Sequence, residues 1–332
     1  MKCVLIIGAD YHYFNDCIAR AFQSLGWKTY VESYDTPIHP YTIVAKFRYK
    51  LSRNKLALKQ NSRKEYDSHI LRLFDIIKPD LVFILNGDNL SLPAMTYMRM
   101  YSKVVVWMYD SITRMPYMIE NLKESDAIYC YEQQDIPYLA NYNIKARFLP
   151  QAVDTSLYFP MTGIEKKYDI VFAGEIWNSD KRKRLLSSVI NHFSDKRICV
   201  VGRYKIIEKG FFAWLFREHR EIYTNTTASA TQLNLLYNQA QVVLNIHVEQ
   251  QKNGANPKVY EILASGAHEI CDVNPYIQEH FGDIIDLYST EEQMLSLIQE
   301  ALSSPNVSSE KYVSAIKGNT FIDRIREVLA NL

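Results

Sequence analysis

Two side chains, Lys258 and Glu261, have the types and spacing to hold adjoining parts of one ligand. They stand in NGANPKVYEILASGAHEICD, residues 253–272, where Asn256 suits a helix N-cap, Pro257 the first helical position and Gly266 the position just past the end. Val259, Ile262 and Leu263 mark the buried stripe, so Lys258 and Glu261 share another face. Helical side chains lean toward the N-terminus, where free N–H groups and a partial positive charge favour an anion. Lys258 then suits a phosphate or diphosphate, and Glu261 the hydroxyls of an attached ribose, which donate to a carboxylate. A capped surface helix with a solvated Lys–Glu pair fits the same residues.

Other residues could do related work. KRKR at 181–184 opens a helix after FAGE, and Arg182 and Arg184 have the planar fork that grips a diphosphate; a solvated charged face is the alternative. Asp10 and His12, in GADYHYFND, are candidates for the base that takes a proton from an acceptor hydroxyl, or for a loop that caps the next helix. Asn86, Gly87 and Asp88 follow LVFIL, and Asp110 follows VVVWMY; Asp110 is the preferred second carboxylate. Residues 46–64 carry eight basic and no acidic side chains with Phe, Tyr and Leu interleaved, which suits contact with an anionic lipid surface or a phosphorylated glycolipid. GFFAWLFR, 210–217, is either a second membrane-touching element or a core helix.

These residues need a scaffold that brings loops together. Short apolar runs alternate with amphipathic stretches, first through CVLII, LVFIL, VVVWMY, AIYCY and ARFLP, then through DIVFAG, RICVVG and QVVLNIH. That is the βαβ pattern of parallel sheets covered by helices on both faces. The length of 332 residues favours two domains. The boundaries expected are 1–160 and 165–310, with a C-terminal helix at 311–332 that packs on either domain. Two such domains imply a cleft at the carboxyl ends of their strands.

A net charge of +1 excludes a global field for nucleic acid, and five scattered cysteines without a Cys-x-x-Cys pair argue against a disulfide framework or zinc knuckle. No apolar run suits a membrane span or signal peptide, so a cytoplasmic protein, touching the membrane's inner face through 46–64, is expected.

The stretch from LNIH (244–247) through NGANPKVYEILASGAHEICDVNPYIQEHFG to NTFIDRI resembles the nucleotide-sugar domain of GT-B glycosyltransferases, particularly the CgeB-like group of spore-protein and cell-surface enzymes. WMYDS, LPQAVDTSLYFP and DIVFAGEIWNSDKRKRLL resemble further segments of that family. The resemblance implies two Rossmann-like domains, with the first binding the acceptor and the second the donor. The implied activity is sugar transfer from a nucleoside diphosphate to a hydroxyl of a surface glycan, glycolipid or related acceptor in polysaccharide or lipopolysaccharide biosynthesis. Glu261 would bind ribose and Lys258 would stand where the family usually has arginine. Gly174, Arg182, Arg184, Tyr223, Asn253 and Asn256 would complete the donor site. Asn253 occupies the place of a second glutamate, which leaves the sugar contact and a retaining mechanism open. No Asp-x-Asp is present, so no metal or other cofactor is expected. A nucleotide-sugar epimerase, a phosphorylase and a non-catalytic glycan-binding or assembly protein of the same fold remain alternatives.

Overall fold

The structure is a computed structural model that describes residues 1–9, 13–34, 55–176, 179–202, 223–224, 228–249, 251–304 and 309–332, with the side chains of 55–63 and 223–224 outside that description. Two compact units emerge, Met1–Pro150 with Phe321–Leu332, and Gln151–Thr320.

The first unit runs β1 (Cys3–Gly8), α1 (Phe14–Ser24), β2 (Lys28–Ser33), α2 (Lys55–Ile77), β3 (Leu81–Leu85), α3 (Leu92–Tyr101), β4 (Lys103–Met108), α4 (Ile119–Leu122), β5 (Ala127–Cys130), α5 (Asp135–Ala140) and β6 (Arg147–Phe148). Its six strands are parallel in the order β2-β1-β3-β4-β5-β6. Both faces of the central strands are buried, which explains why they read as unbroken apolar runs instead of alternating ones. Leu5, Ile7, Val82, Ile84, Val104 and Val106 form one core with Tyr66, Ile70 and Phe74 of α2 and Met95 and Met98 of α3. On the opposite face, Phe22 of α1 meets Phe83 edge-on.

The second unit runs β7 (Tyr168–Ala173), α6 (Asp180–His192), β8 (Ile198–Val201), β9 (Tyr223–Thr224), α7 (Ala230–Gln239), β10 (Ala240–Asn245), α8 (Pro257–Ala264), β11 (Glu269–Asp272), α9 (Pro275–Phe281), β12 (Asp286–Tyr288), α10 (Glu291–Ser303) and α11 (Ser309–Ser314). Its parallel order is β12-β11-β10-β7-β8-β9. Ile170, Phe172, Val200, Val242, Leu244 and Ile270 pack on α6 and α10, whereas α7 and α8 cover the other face.

One helix, α12 (Phe321–Ala330), follows α11 and returns to the first unit. Phe321 lies against Phe14 and Trp107, with ring centroids 6.1 and 6.4 Å away, and Arg324 Nε donates to the Pro150 carbonyl at 3.0 Å. The single helix expected over 311–332 is thus two helices, because Gly318 takes a left-handed turn (φ 77°) between them. The change of unit falls at Pro150, ten residues ahead of the boundary expected at 160. Among the described residues, no helix is long and apolar enough to cross a membrane.

Candidate functional site

Strand order locates the ligand-binding edge. In the second sheet the chain runs outward from β7 through β8 to β9, then restarts beside β7 with β10. The loops after β7 and β10 therefore diverge, and such a switch point is where open parallel sheets hold ligands. Gly174 leaves β7 there, and its amide donates to the Val201 carbonyl at 2.8 Å. A side chain on Gly202, which follows β8, would overlap the Gly174 carbonyl oxygen, so the two loops approach closely only because residue 202 lacks one.

Arg182 spans the switch point. Its Nε donates to the Ile246 carbonyl at 2.8 Å, one guanidinium nitrogen donates to the Glu175 carbonyl at 2.7 Å, and the group lies 5.8 Å from the Phe172 ring centre. The guanidinium thus ties the loop after β7 to the loop after β10. The rest of KRKR is paired within the chain. Lys181 Nζ lies 2.5 Å from Asp272, Lys183 3.1 Å from Asp180 and Arg184 2.6 Å from Glu291. Arg184 points outward to the start of α10 and is not brought to this group.

The N-terminus of α6 is occupied by the protein's own carboxylate. Ser179 caps the helix through the Arg182 amide, while Glu249, from the loop after β10, accepts from the Lys181 amide at 3.0 Å and the Ser179 hydroxyl at 2.9 Å. Burial opposes the charge of Glu249, yet these contacts hold its pKa below the ordinary carboxylate value.

The start of α8 rests on a buried polar network. Asn256 caps it by accepting from the Val259 amide at 3.2 Å, and its side chain exchanges hydrogen bonds with Asn245 at 2.9 and 3.1 Å. Asn245 also donates to Glu269 at 2.8 Å. Burial drives the Glu269 carboxyl well above its usual range against the opposing effect of that bond. The Asn256 amide donates to Nε2 of His247 at 3.2 Å, and Nδ1 of the same ring lies 2.9 Å from Asp272. With Nε2 accepting, the ring offers its Nδ1 proton to Asp272. Burial works against the Asp272 charge, but His247 and Lys181 outweigh it and hold the carboxyl well below the usual range.

Lys258 and Glu261 pair at 2.6 Å, and the pair is not solvated: the side chains are 13% and 3% exposed. The second oxygen of Glu261 has no partner among the described residues. This pairing removes an electrostatic difficulty, because a lone carboxylate would repel a phosphate at the same helix start, whereas a neutralised pair does not. Gly266 has φ 69° just past the helix, the conformation that its capping position requires. Asn253 lies in the loop before α8, held at Gly254 by the Asn274 side chain at 3.0 Å.

In the first unit, Asp110 follows β4 and pairs with Arg114 at 2.6 Å. Its pKa is raised by burial, with Arg114 opposing and Asp88 adding to the rise. Asn86, at φ 58°, accepts from the amides of Tyr109 and Asp110, and Gly87 follows at φ 80°. Asp88 accepts from the Tyr34 hydroxyl at 2.6 Å. Beneath them Asp135 accepts from Ser111 and the Ile112 amide, and burial pushes its carboxyl up to about 6. Asp10, His12, the side chain of Tyr223, residues 46–54 and 210–217, and the side chains of 55–63 lie outside the described residues.

Among the described residues, His247, Cys271 and Asp272 place possible metal-ligand atoms within 4.8 Å of one another.

Sequence reasoning missed Asn245, His247, Glu249, Glu269 and Asp272. Four of them carry a legible signal, since a polar residue inside or at the end of an apolar strand run, as in VVLNIH and HEICD, must find a buried partner. Glu249 carries none, because its partners are some 70 residues away.

Residues 181–330 match the family model described as glycosyl transferase-like. A comparison with curated proteins returns no match. Among solved structures, the sucrose-phosphate synthase of Thermosynechococcus elongatus is similar over 100% of this chain and 99% of its own, with TM-score 0.71 and 11% identity. A trehalose-6-phosphate protein from E. coli bound with UDP-2-fluoro glucose gives TM-score 0.66, 10% identity and coverage of 99% and 98%. Anabaena HepE, in complex with UDP and glucose, gives TM-score 0.58 and 11% identity over 100% of both chains. The chain has the fold of GT-B glycosyltransferases, two parallel-sheet α/β domains, and its residues 181–330 carry the pattern of a glycosyl transferase-like family.

Proposed function

We propose that the protein is a glycosyltransferase that moves a sugar from a nucleoside diphosphate to a hydroxyl of a surface glycan, glycolipid or related acceptor, within the CgeB-like group. One observation carries the reading: Glu261 is buried within an Asn-capped helix that follows the β7/β10 switch point, with one oxygen neutralised by Lys258 and the other without a partner among the described residues. The open oxygen would accept from the ribose hydroxyls. The amides at the start of α8 and the remaining Lys258 protons would face the diphosphate and stabilise the charge that develops as it leaves. That assignment asks no metal to neutralise the leaving group. Structural relatives bound to UDP with glucose, or to UDP-2-fluoro glucose, support a nucleotide sugar as the donor.

The first unit would bind the acceptor. Asp110 and Asp88 are acceptors for sugar hydroxyls, and Asp110, with a raised pKa, would serve as the base together with Asp10 and His12. The basic run at 46–64 would hold an anionic membrane or a lipid-linked acceptor.

Calorimetric titration of a panel of nucleoside diphosphates tests the donor site: one should bind the parent, and Glu261→Ala should weaken it by about tenfold or more. Equal affinity in the variant would remove Glu261 from the site. Incubation with the matching nucleotide sugar alone should give only slow hydrolysis; conversion to a different nucleotide sugar would identify an epimerase instead.

A further inference from the structure

We infer that His247 is a positioning residue for the donor site, fixing the start of α8 and hence where Lys258 and Glu261 meet a nucleoside diphosphate. The inference rests on the donor reading above. His247 is fully enclosed and reaches neither partner of the Lys258–Glu261 pair. It acts on the main chain one turn earlier, where Nε2 accepts the amide of the cap residue Asn256. Nδ1 on the other edge of the ring is anchored to Asp272, which also accepts from the His247 amide at 2.7 Å and from Lys181 of α6.

The starts of the two helices that flank the switch point are therefore joined by one chain of contacts, Lys181 to Asp272 to His247 to Asn256. Asn245 holds the Asn256 side chain and His247 holds its backbone, so the cap is fixed at two points by the end of β10. The imidazole ring supplies a donor on one edge and an acceptor on the other. An apolar side chain would fill the same volume but leave the Asn256 amide and Asp272 each short of a partner, which a buried polar group does not tolerate cheaply.

The test uses the two amides that divide the ring's functions. His247→Asn keeps a donor near the Nδ1 position, facing Asp272, and removes the acceptor for the Asn256 amide. His247→Gln places its amide oxygen near the Nε2 position and restores that acceptor. Nucleoside diphosphates with each common base are titrated into the parent and both variants, and thermal unfolding of each is recorded in parallel. The expected result is a loss of about tenfold or more in affinity for Asn, with the lowered melting temperature that an unpartnered buried amide brings, and recovery to within about threefold of the parent for Gln, with both variants still folded at the titration temperature. Parent-like binding by the Asn variant, or equal losses in both variants, overturns the inference while leaving the donor site standing. A parent that binds no nucleoside diphosphate fails the donor reading itself, and the role of His247 falls with it.

Discussion

Among the described residues the two sheets have the same number of strands and the same parallel pairing, yet the loops at their carboxyl ends handle charge differently. In the second unit three acids are each tied to a cation, an imidazole or a helix start: Glu249 to the start of α6, Asp272 to the His247 ring and Lys181, and Glu261 to Lys258. In the first unit Asp88, Asp110 and Asp135 gather with Arg114 as the cation paired to Asp110, and burial raises the pKa of both Asp110 and Asp135. The strand order shifts the crevice as well. The first sheet switches direction between β1 and β3, whereas the second switches between β7 and β10. One sheet thus presents the start of α8 with a neutralised Lys–Glu pair, which suits an anion. The other presents under-compensated carboxylates, which suit hydroxyls and proton transfer.

The contrast breaks most readily at Lys258. Lys258→Met leaves Glu261 buried without its partner and should cost about 3–5 kcal/mol in denaturant unfolding. Lys258→Met with Glu261→Gln should recover much of that stability but not nucleoside diphosphate binding; recovery of both would make the pair purely structural. In the first unit the sign reverses with pH. Because Asp135 has a folded pKa raised from 3.8 to about 6, its contribution is fully present below pH about 4 and is lost as pH rises through 6. Asp135→Asn, which can still accept from the Ile112 amide, should therefore stabilise the protein at pH 8 relative to pH 4, by up to about 3 kcal/mol on a melting-versus-pH series. Gly202→Ala should cost about 1–3 kcal/mol by forcing apart the loops after β7 and β8, and should weaken donor binding as it does so. The smallest effect is expected at Arg184, an exposed partner of Glu291: Arg184→Ala should change stability by less than about 1 kcal/mol and leave donor affinity unaltered.

How much of this was legible depends on whether the partners are near in sequence. The ends of α8 were legible because Asn256, Pro257 and Gly266 act on their own backbone. Most strands were legible because strands buried on both faces announce themselves as apolar runs; LVFIL matches β3 residue for residue. The pair Lys258–Glu261 was legible as a pair, but its burial was not, since enclosure depends on α7 and the sheet beneath. The basic run KRKR shows the limit more sharply. Its composition suggested a diphosphate clamp, and the structure pairs Lys181, Lys183 and Arg184 with carboxylates and Arg182 with carbonyls. Three of those four destinations lie in other strands, loops or helices, which a local pattern does not encode.

The return of α12 to the first sheet has a consequence for synthesis. Residues 151–320 are, in chain order, an insertion within the first unit. The second unit is contiguous in the chain, but the first waits for the cover that Phe321 gives Phe14 and Trp107 until residues beyond 320 have been made. The amino-terminal unit, made first, is therefore finished last, and a chain truncated before residue 321 should expose that aromatic surface to chaperones or aggregation while its second unit is already whole.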